Sequence, residues 1–174
     1  DTVDELFSDS NFKDDAVKEI KACFNYIRSF TKDIFTLFEE KEILSQGELM
    51  STAMMNLYLQ SKGIKSVLLP ALEFMRTDKN ADPDPQYIKE KLRAIMEKNE
   101  GYQIYITQGF ICRNAYGEVD NLQRGGSDYT ASLIGAALPA EEIQIWTDID
   151  GMHNNDPRVV EHTDAIHQLN FEEA

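Results

Sequence analysis

The residues best suited to chemistry form one short run, Gln123-Arg124-Gly125-Gly126-Ser127-Asp128-Tyr129-Thr130. Two adjacent glycines allow the backbone to approach a ligand closely, and Ser127 or Asp128 could cap a helix that begins here. The first turn of such a helix offers free N–H groups to an anion. A tight loop with an ordinary cap explains the spacing equally well, but Arg124 favours an anion site because a guanidinium binds carboxylates and phosphates through two hydrogen bonds.

A second candidate run follows, Trp146-Thr147-Asp148-Ile149-Asp150-Gly151 and then Asn155-Asp156-Pro157-Arg158. It is expected at the C-terminal end of a strand, where open α/β sheets bind their ligands. Asp-Gly and Asp-Pro pairs are also common turn sequences, and without further context the turn interpretation is favoured.

Glu48 follows Gly47 near the start of a helix that is predicted to begin at Ser45. A glutamate in a first helical turn usually only complements the helix dipole. The three histidines lack metal-ligand spacing, and Cys23 and Cys112 lie too far apart for a CxxC site. Both cysteines are therefore interpreted as reduced thiols.

The composition is that of one acidic globular domain. The 174 residues are 42% hydrophobic, and 31 acidic against 17 basic residues give a net charge of −14. This charge argues against nucleic acid and anionic membranes as partners. Any phosphate ligand would have to be neutralised by backbone N–H groups, a few basic side chains and a divalent cation. The chain has no apolar run of about 20 residues that could span a bilayer, so that a cytoplasmic location is expected.

Helical and strand patterns alternate along the chain. Apolar spacing from Asp14 to Phe38 predicts two helices or one bent helix, and another helix should run from Ser45 to Gly63. Further predictions are a strand over 64–69, a helix over 87–101, a strand over 102–112, a hairpin or loop over 114–121, a helix after the glycine pair and a strand over 141–151. This order predicts an α/β fold, a three-layer α/β/α sandwich with a mostly parallel sheet. A helix capped by Asn170 should begin at the C-terminus, which gives the expectation that the domain is truncated at both ends.

Four segments together carry a family resemblance. TQGFI, LQRGGSDYTASLIGAAL, IWTDIDG and DPR, in this order and at this spacing, resemble the aspartate kinase branch of the amino acid kinase family. The resemblance is dense from Gln103 to Arg158 and fair over Leu44 to Arg76. It implies an amino acid kinase fold and transfer of the γ-phosphate of MgATP to the β-carboxylate of L-aspartate, which opens the route to lysine, threonine and methionine.

The resemblance also assigns roles by position. Glu48 would bind the α-amino group of the substrate, and Arg124, with Gly125 and Gly126, would bind a substrate carboxylate. The catalytic pair Ser127 and Asp128 would sit between aspartate and the transferred phosphate. The nucleotide pocket would be lined by Thr147, Asp148, His153, Asp156 and Arg158. His153 stands where the family more often has tyrosine.

The Lys-Phe-Gly-Gly-Thr motif with which the family begins is not found in this sequence, nor are the regulatory ACT domains. The resemblance therefore implies that residues 1–174 are one partial catalytic domain, mainly helical and on the aspartate side over 1–63 and on the nucleotide side over 102–174. Such a piece is expected to be inactive alone, and the full-length enzyme to be a homo-oligomer. The alternatives are another amino acid kinase and a nucleotide-binding module without catalysis.

Overall fold

A computed structural model describes residues 2–8, 11–30, 35–148, 151–170 and 172. The chain divides into two compact units, Asp1–Ile143 and Gln144–Ala174. The helix expected to begin at Asn170 lies mostly outside the described residues.

Three helices make up the first part of the larger unit. They are α1 (Thr2–Leu6), α2 (Lys13–Ser29) and α3 (Leu37–Ser61), so that the long apolar pattern belongs to separate helices. A capping box begins α3: the Thr36 hydroxyl accepts a hydrogen bond from Phe38 N, and the Glu39 carboxylate accepts one from Thr36 N at 2.8 Å. The helix is followed by Gly63 with a φ of 76°, which confirms the predicted C-terminal end.

The predicted start of this helix at Ser45 is wrong. Helix α3 begins at Leu37, and Ser45 lies within it, 1% exposed, with its hydroxyl donating to Glu42 O at 2.7 Å. The capping box around Thr36 satisfies the first backbone donors earlier in the chain, and a serine inside a helix satisfies its own hydroxyl by bonding back to the preceding turn. Glu48 consequently lies in the interior of α3 and not in a first turn.

Strands and helices alternate in the rest of this unit. Strand β1 (Ser66–Leu68) pairs in parallel with β2 (Ile104–Ile106), and the helices α4 (Ala71–Phe74) and α5 (Pro85–Lys98) connect them. Strand β3 (Ile111–Arg113) forms an antiparallel hairpin with β4 (Val119–Asn121), one of the two predicted alternatives, and α6 (Gly126–Ala137) follows. A parallel bridge also joins Arg76 to Arg113. Helices around two small sheets of two strands each, one parallel and one antiparallel, confirm the α/β class.

Two strand predictions differ from the structure. The run from Tyr102 to Cys112 is interrupted between β2 and β3, where Phe110 has a φ of 67° that no strand residue adopts. The alternating run from residue 141 is not a strand over 141–148, and Trp146 is 87% exposed. Alternation produces a strand only where a neighbouring strand supplies backbone partners, and no described segment pairs with these residues.

The core of the larger unit is formed by β3 together with α4, α5 and α6. Its fully buried side chains include Phe74, Met75, Ile88, Leu92, Ile111 and Cys112. No described helix is both long enough and apolar enough to cross a membrane. The core holds the β2–β3 connection and the start of α6 against each other, and these two segments form the first candidate site.

Candidate functional site

The N-terminus of α6 is open to a ligand. Its cap residue is Gly125, in the left-handed conformation with φ 75° and ψ 12°, and no side chain caps the helix. Neither Ser127 nor Asp128 therefore caps it, although the sequence allowed for either. Within the described chain, the backbone N–H groups of these two residues have no acceptor, and their side chains and that of Arg124 are exposed. Free amide donors beside a guanidinium can bind a carboxylate or a phosphate.

The connection between β2 and β3 packs directly on this helix start. A Cβ atom added to Gly109 would lie 2.9 Å from Ser127 Oγ and 3.0 Å from Ser127 Cα. Phe110 N donates to Thr130 Oγ1 at 3.2 Å, and the same hydroxyl donates to Gly126 O at 2.7 Å. The contact excludes any side chain at Gly109 and fixes the first turn of α6 against the loop.

Backbone strain is concentrated at the same place. Phe110 and Gln123, with φ of 67° and 63°, are two of the four non-glycine residues with positive φ in the described chain. A hydrogen bond of 2.8 Å from Leu122 N to Phe110 O joins the two segments. Each such conformation costs on the order of 1–3 kcal/mol, and such residues cluster at ligand sites. The strain supports the interpretation of this region as a site.

Gln108 links the loop to two other elements. Its side chain is 1% exposed; Oε1 accepts from Ala71 N at 2.8 Å, and Nε2 donates to Thr52 Oγ1 at 2.8 Å. The Thr52 hydroxyl donates in turn to Glu48 O at 2.7 Å. Neither Gln108, which belongs to the TQGFI segment, nor Thr52 was predicted as a site residue. An amide within the predicted strand over 102–112 was the signal, because a buried amide requires partners.

Glu48 is half-buried on α3, one turn before Thr52. Its carboxylate has no hydrogen bond or ion pair to the residues that the structure describes, and the Ser51 and Thr52 hydroxyls donate to its backbone oxygen. The side chain is therefore available to a ligand, and its helical turn is connected to the loop that contacts Ser127.

The second group of predicted residues lies in the smaller unit. Four of its five members, Asp148, His153, Asp156 and Arg158, line one cavity of about 640 Å³, together with Gly151, Met152, Asn155 and Pro157. Thr147 precedes Asp148 but does not line the cavity. Small-molecule pockets usually measure about 300–1,000 Å³, so that the cavity has a suitable size for a nucleotide.

Charge pairing dominates this cavity. Arg158 contacts Asp156 through Nη2–Oδ2 at 2.9 Å and Nε–Oδ1 at 3.1 Å, and its backbone N also donates to Oδ1 at 2.9 Å. Hydrogen bonding to the guanidinium lowers the pKa of Asp156, and the same pairing raises the pKa of Arg158. His153 Nδ1 lies 3.0 Å from Thr163 Oγ1, which fixes the imidazole. A phosphate that binds Arg158 must share it with Asp156.

Among the residues that the structure describes, no group of three or more His, Cys, Asp or Glu side chains could hold a metal ion. Asp148 and Asp156 nevertheless border the same cavity. Proteins commonly hold Mg²⁺ through one or two carboxylates plus the phosphates of a nucleotide. The cavity is compatible with a metal ion that enters with its nucleotide.

Comparison with known proteins identifies the class. The model of the amino acid kinase family matches residues 2–174, and the chain belongs to this family. Lysine-sensitive aspartokinase 3 of Escherichia coli (strain K12) is 39% identical over 138 residues, which are 76% of this chain and 30% of that protein. The aspartokinase of Chlamydia muridarum is 33% identical over 138 residues, 78% of this chain and 31% of that protein.

Solved structures of aspartokinases also resemble this chain. The crystal structure of E. coli aspartokinase III in complex with aspartate and ADP matches 90% of this chain and 36% of that chain, with a TM-score of 0.76 and 32% identity. Clostridium acetobutylicum aspartate kinase matches 84% of this chain and 31% of that chain, with a TM-score of 0.65 and 26% identity. The chain thus spans about a third of the length of these relatives.

Proposed function

We propose that this chain is part of the catalytic domain of an aspartate kinase, which transfers the γ-phosphate of ATP to the β-carboxylate of L-aspartate and forms 4-phospho-L-aspartate. The observation that carries the proposal is the match of 90% of the chain to an aspartokinase that holds aspartate and ADP. The uncapped start of α6 beside Arg124 supports it, because this arrangement suits a carboxylate ligand. The reaction would be the first step towards lysine, threonine and methionine, in the cytoplasm.

The aspartate-side roles are assigned to the larger unit. Arg124, with the backbone of Gly125 and Gly126, binds a substrate carboxylate, and Glu48 binds the α-amino group. Ser127 and Asp128 orient the acceptor carboxylate. The free carboxylate of Glu48 and the free amide donors of the α6 start support these roles.

The nucleotide-side roles are assigned to the smaller unit. Asp148, His153, Asp156 and Arg158 border the cavity, and Thr147 adjoins Asp148. We assign ATP with Mg²⁺ to these residues, with Arg158 near the phosphates. The bidentate pairing with Asp156 holds the guanidinium in place beforehand.

Phosphoryl transfer depends mainly on positioning and on neutralising charge. The acceptor carboxylate already carries its negative charge, so that no strong general base is required. Asp128 is therefore assigned an orienting or metal-organising role and not that of a proton acceptor.

The test is an ADP-release assay with ATP, Mg²⁺ and L-aspartate. It compares the chain alone with a version extended by the rest of the catalytic domain and its regulatory part. Turnover that requires aspartate in the extended protein alone would support both the reaction and the assignment of 1–174 as one partial domain. Binding of nucleotide without turnover in either version would favour the non-catalytic module, and turnover with a different acceptor would favour another amino acid kinase. The extended protein is expected to be a homo-oligomer, which light scattering would measure.

A further inference from the structure

The strongest unassigned feature is a buried polar connection that runs from α3 to the start of α6. Gln108 is 1% exposed, and a buried amide without partners would be costly. Both ends of its side chain are bonded, to Ala71 N and to Thr52 Oγ1, each at 2.8 Å. One side chain thus holds the start of α4 and the middle of α3.

Each end of this connection reaches a residue with a proposed substrate role. Thr52 Oγ1 donates to Glu48 O at 2.7 Å, in the helical turn that carries the Glu48 side chain. On the other side, the next residue after Gln108 is Gly109, which meets Ser127 so closely that an added Cβ would lie 3.0 Å from Ser127 Cα. A shift of Gln108 would therefore displace Glu48 and Ser127 together.

We propose that Gln108 and Thr52 are positioning residues for the amino acid substrate. Their hydrogen bond sets the position of Glu48 relative to the first turn of α6, and thereby the fit of the site to the amino and carboxylate groups of an amino acid. The inference rests on the proposed function. The nucleotide residues lie outside this network, so that the effect is specific to the amino acid substrate.

The test uses the full-length protein and removes the hydrogen bond from either side. Gln108→Met keeps the length of the side chain but leaves Ala71 N and Thr52 Oγ1 without this partner. Thr52→Val removes the acceptor for Gln108 Nε2 and the hydroxyl that donates to Glu48 O, and it keeps the bond from Ala71 N to Gln108. Each variant is expected to raise the aspartate Kd and KM about tenfold, as loss of one buried polar contact commonly does. The KM for ATP should stay within about twofold, because the residues assigned to the nucleotide lie outside this network.

Two further variants distinguish a positioning role from a general loss of stability of the fold. Thr52→Ser retains the hydroxyl and should restore aspartate binding. Ser66→Ala is the matched control, because Ser66 is also 1% exposed and its hydroxyl donates to Asn56 Oδ1 at 2.9 Å, one turn further along α3. It should lower the melting temperature and leave the aspartate Kd unchanged. In the double variant of Gln108 and Thr52, the effect should not exceed the larger single effect.

Unchanged aspartate Kd values for Thr52→Val and Gln108→Met would overturn the inference, and so would an equal rise for Ser66→Ala. If Gln108→Met fails to fold, Thr52→Val decides alone. Failure of the unsubstituted protein to bind aspartate would overturn the proposed function, and the inference with it. If the unsubstituted protein binds aspartate, the variants test the positioning role alone.

Discussion

Single residues at the start of α6 determine what this part of the molecule can bind. Gly125 adopts φ 75°, which a side chain would strain, and leaves the first amide groups of the helix without a side-chain cap. Gly109 leaves no room for a Cβ against Ser127. Arg124, directly before the glycine pair, is exposed and adds a positive charge in an acidic chain. Charge and open backbone donors together favour a carboxylate ligand.

Arg124→Ala in the full-length enzyme should raise the KM for aspartate by tenfold or more, because a hydrogen bond to a charged group contributes about 1.5–3 kcal/mol. Arg124→Lys should recover only part of the affinity, since an ammonium group cannot form the two parallel bonds of a guanidinium. Steady-state kinetics with varied aspartate would measure both variants. Arg93→Ala, which removes the same charge from the exposed surface of α5, is the control. An unchanged KM in Arg124→Ala would contradict the assigned role.

Among the elements, α5 begins at a carboxylate that both caps the helix and forms an ion pair. Asp84 caps it by accepting from Tyr87 N at 3.1 Å and also pairs with Arg76 Nη2 at 2.6 Å. The Arg76 guanidinium stacks 3.7 Å from the centre of the Tyr87 ring. The hydrogen bond from Arg76, and then that from Tyr87 N, lower the pKa of Asp84 below its ordinary value of 3.8. The cap, the ion pair and the aromatic ring thus act as one unit.

Replacing this cap should destabilise the fold in a pH-dependent way. Asp84→Ala should lower the free energy of unfolding by about 1–2 kcal/mol at pH 7, and Asp84→Asn by less because an amide can still cap the helix. Since the folded pKa is the lower one, the stability from the carboxylate is complete above about pH 4 and is lost as the pH falls through the folded value. Urea unfolding at several pH values would measure this. A difference between wild type and Asp84→Asn that persists at the acid end would contradict the assignment.

At the scale of the whole molecule, the net charge affects ligand binding and the core affects the reactivity of a buried thiol. The net charge of −14 opposes the approach of a polyanion, so that a nucleotide should bind with its charge reduced by a cation. The core excludes water around Cys112, and this burial raises the pKa of its thiol to about 12, with the nearby Asp120 charge as a smaller cause. Both properties can be measured directly.

The affinity for ATP should fall severalfold when Mg²⁺ is withheld, because the fully charged nucleotide meets the repulsive field of the protein. Added salt should recover part of the Mg²⁺-free affinity by screening that field. Calorimetry with ATP in Mg²⁺ or in chelator, at low and high salt, would measure both effects. Equal affinity with and without Mg²⁺ would contradict the charge argument.

Cys112 should react with thiol reagents only when the larger unit unfolds. Cys112 is buried, whereas Cys23 on α2 is partly exposed. The pKa of Cys23 is raised mainly by partial burial and then by the charge of Glu19. Because the thiolate is the reactive form, native protein should be labelled first at Cys23. Mass spectrometry after timed labelling, with and without denaturant, would show this order. Labelling of Cys112 as fast as that of Cys23 in native protein would contradict the buried core.

Local chemistry made much of the fold predictable. The helix end at Gly63, the hairpin or loop over 114–121 and a helix at the glycine pair depend on backbone preferences of a few neighbouring residues. The structure confirms the helix end and the helix and selects the hairpin, whereas α6 begins at Gly126 without the expected side-chain cap. The residues of the candidate site were likewise named from short motifs. The structure places four of them around one cavity, while Glu48 lies on α3 and Thr147 outside the cavity lining, and their roles stay predictions.

Tertiary contacts decided the rest. Ser45 became an interior residue because Thr36 and Glu39 cap α3 earlier. The strand over 102–112 is interrupted because Gln108 turns into the core to join Thr52 and Ala71. The alternating residues over 141–148 have no strand partner in the described chain. The sequence therefore determined the turns, helix ends and residue types of the site, since these follow from local backbone energetics. Only the tertiary structure decided which buried polar groups find partners and which strands pair, because those bonds join residues far apart in the chain.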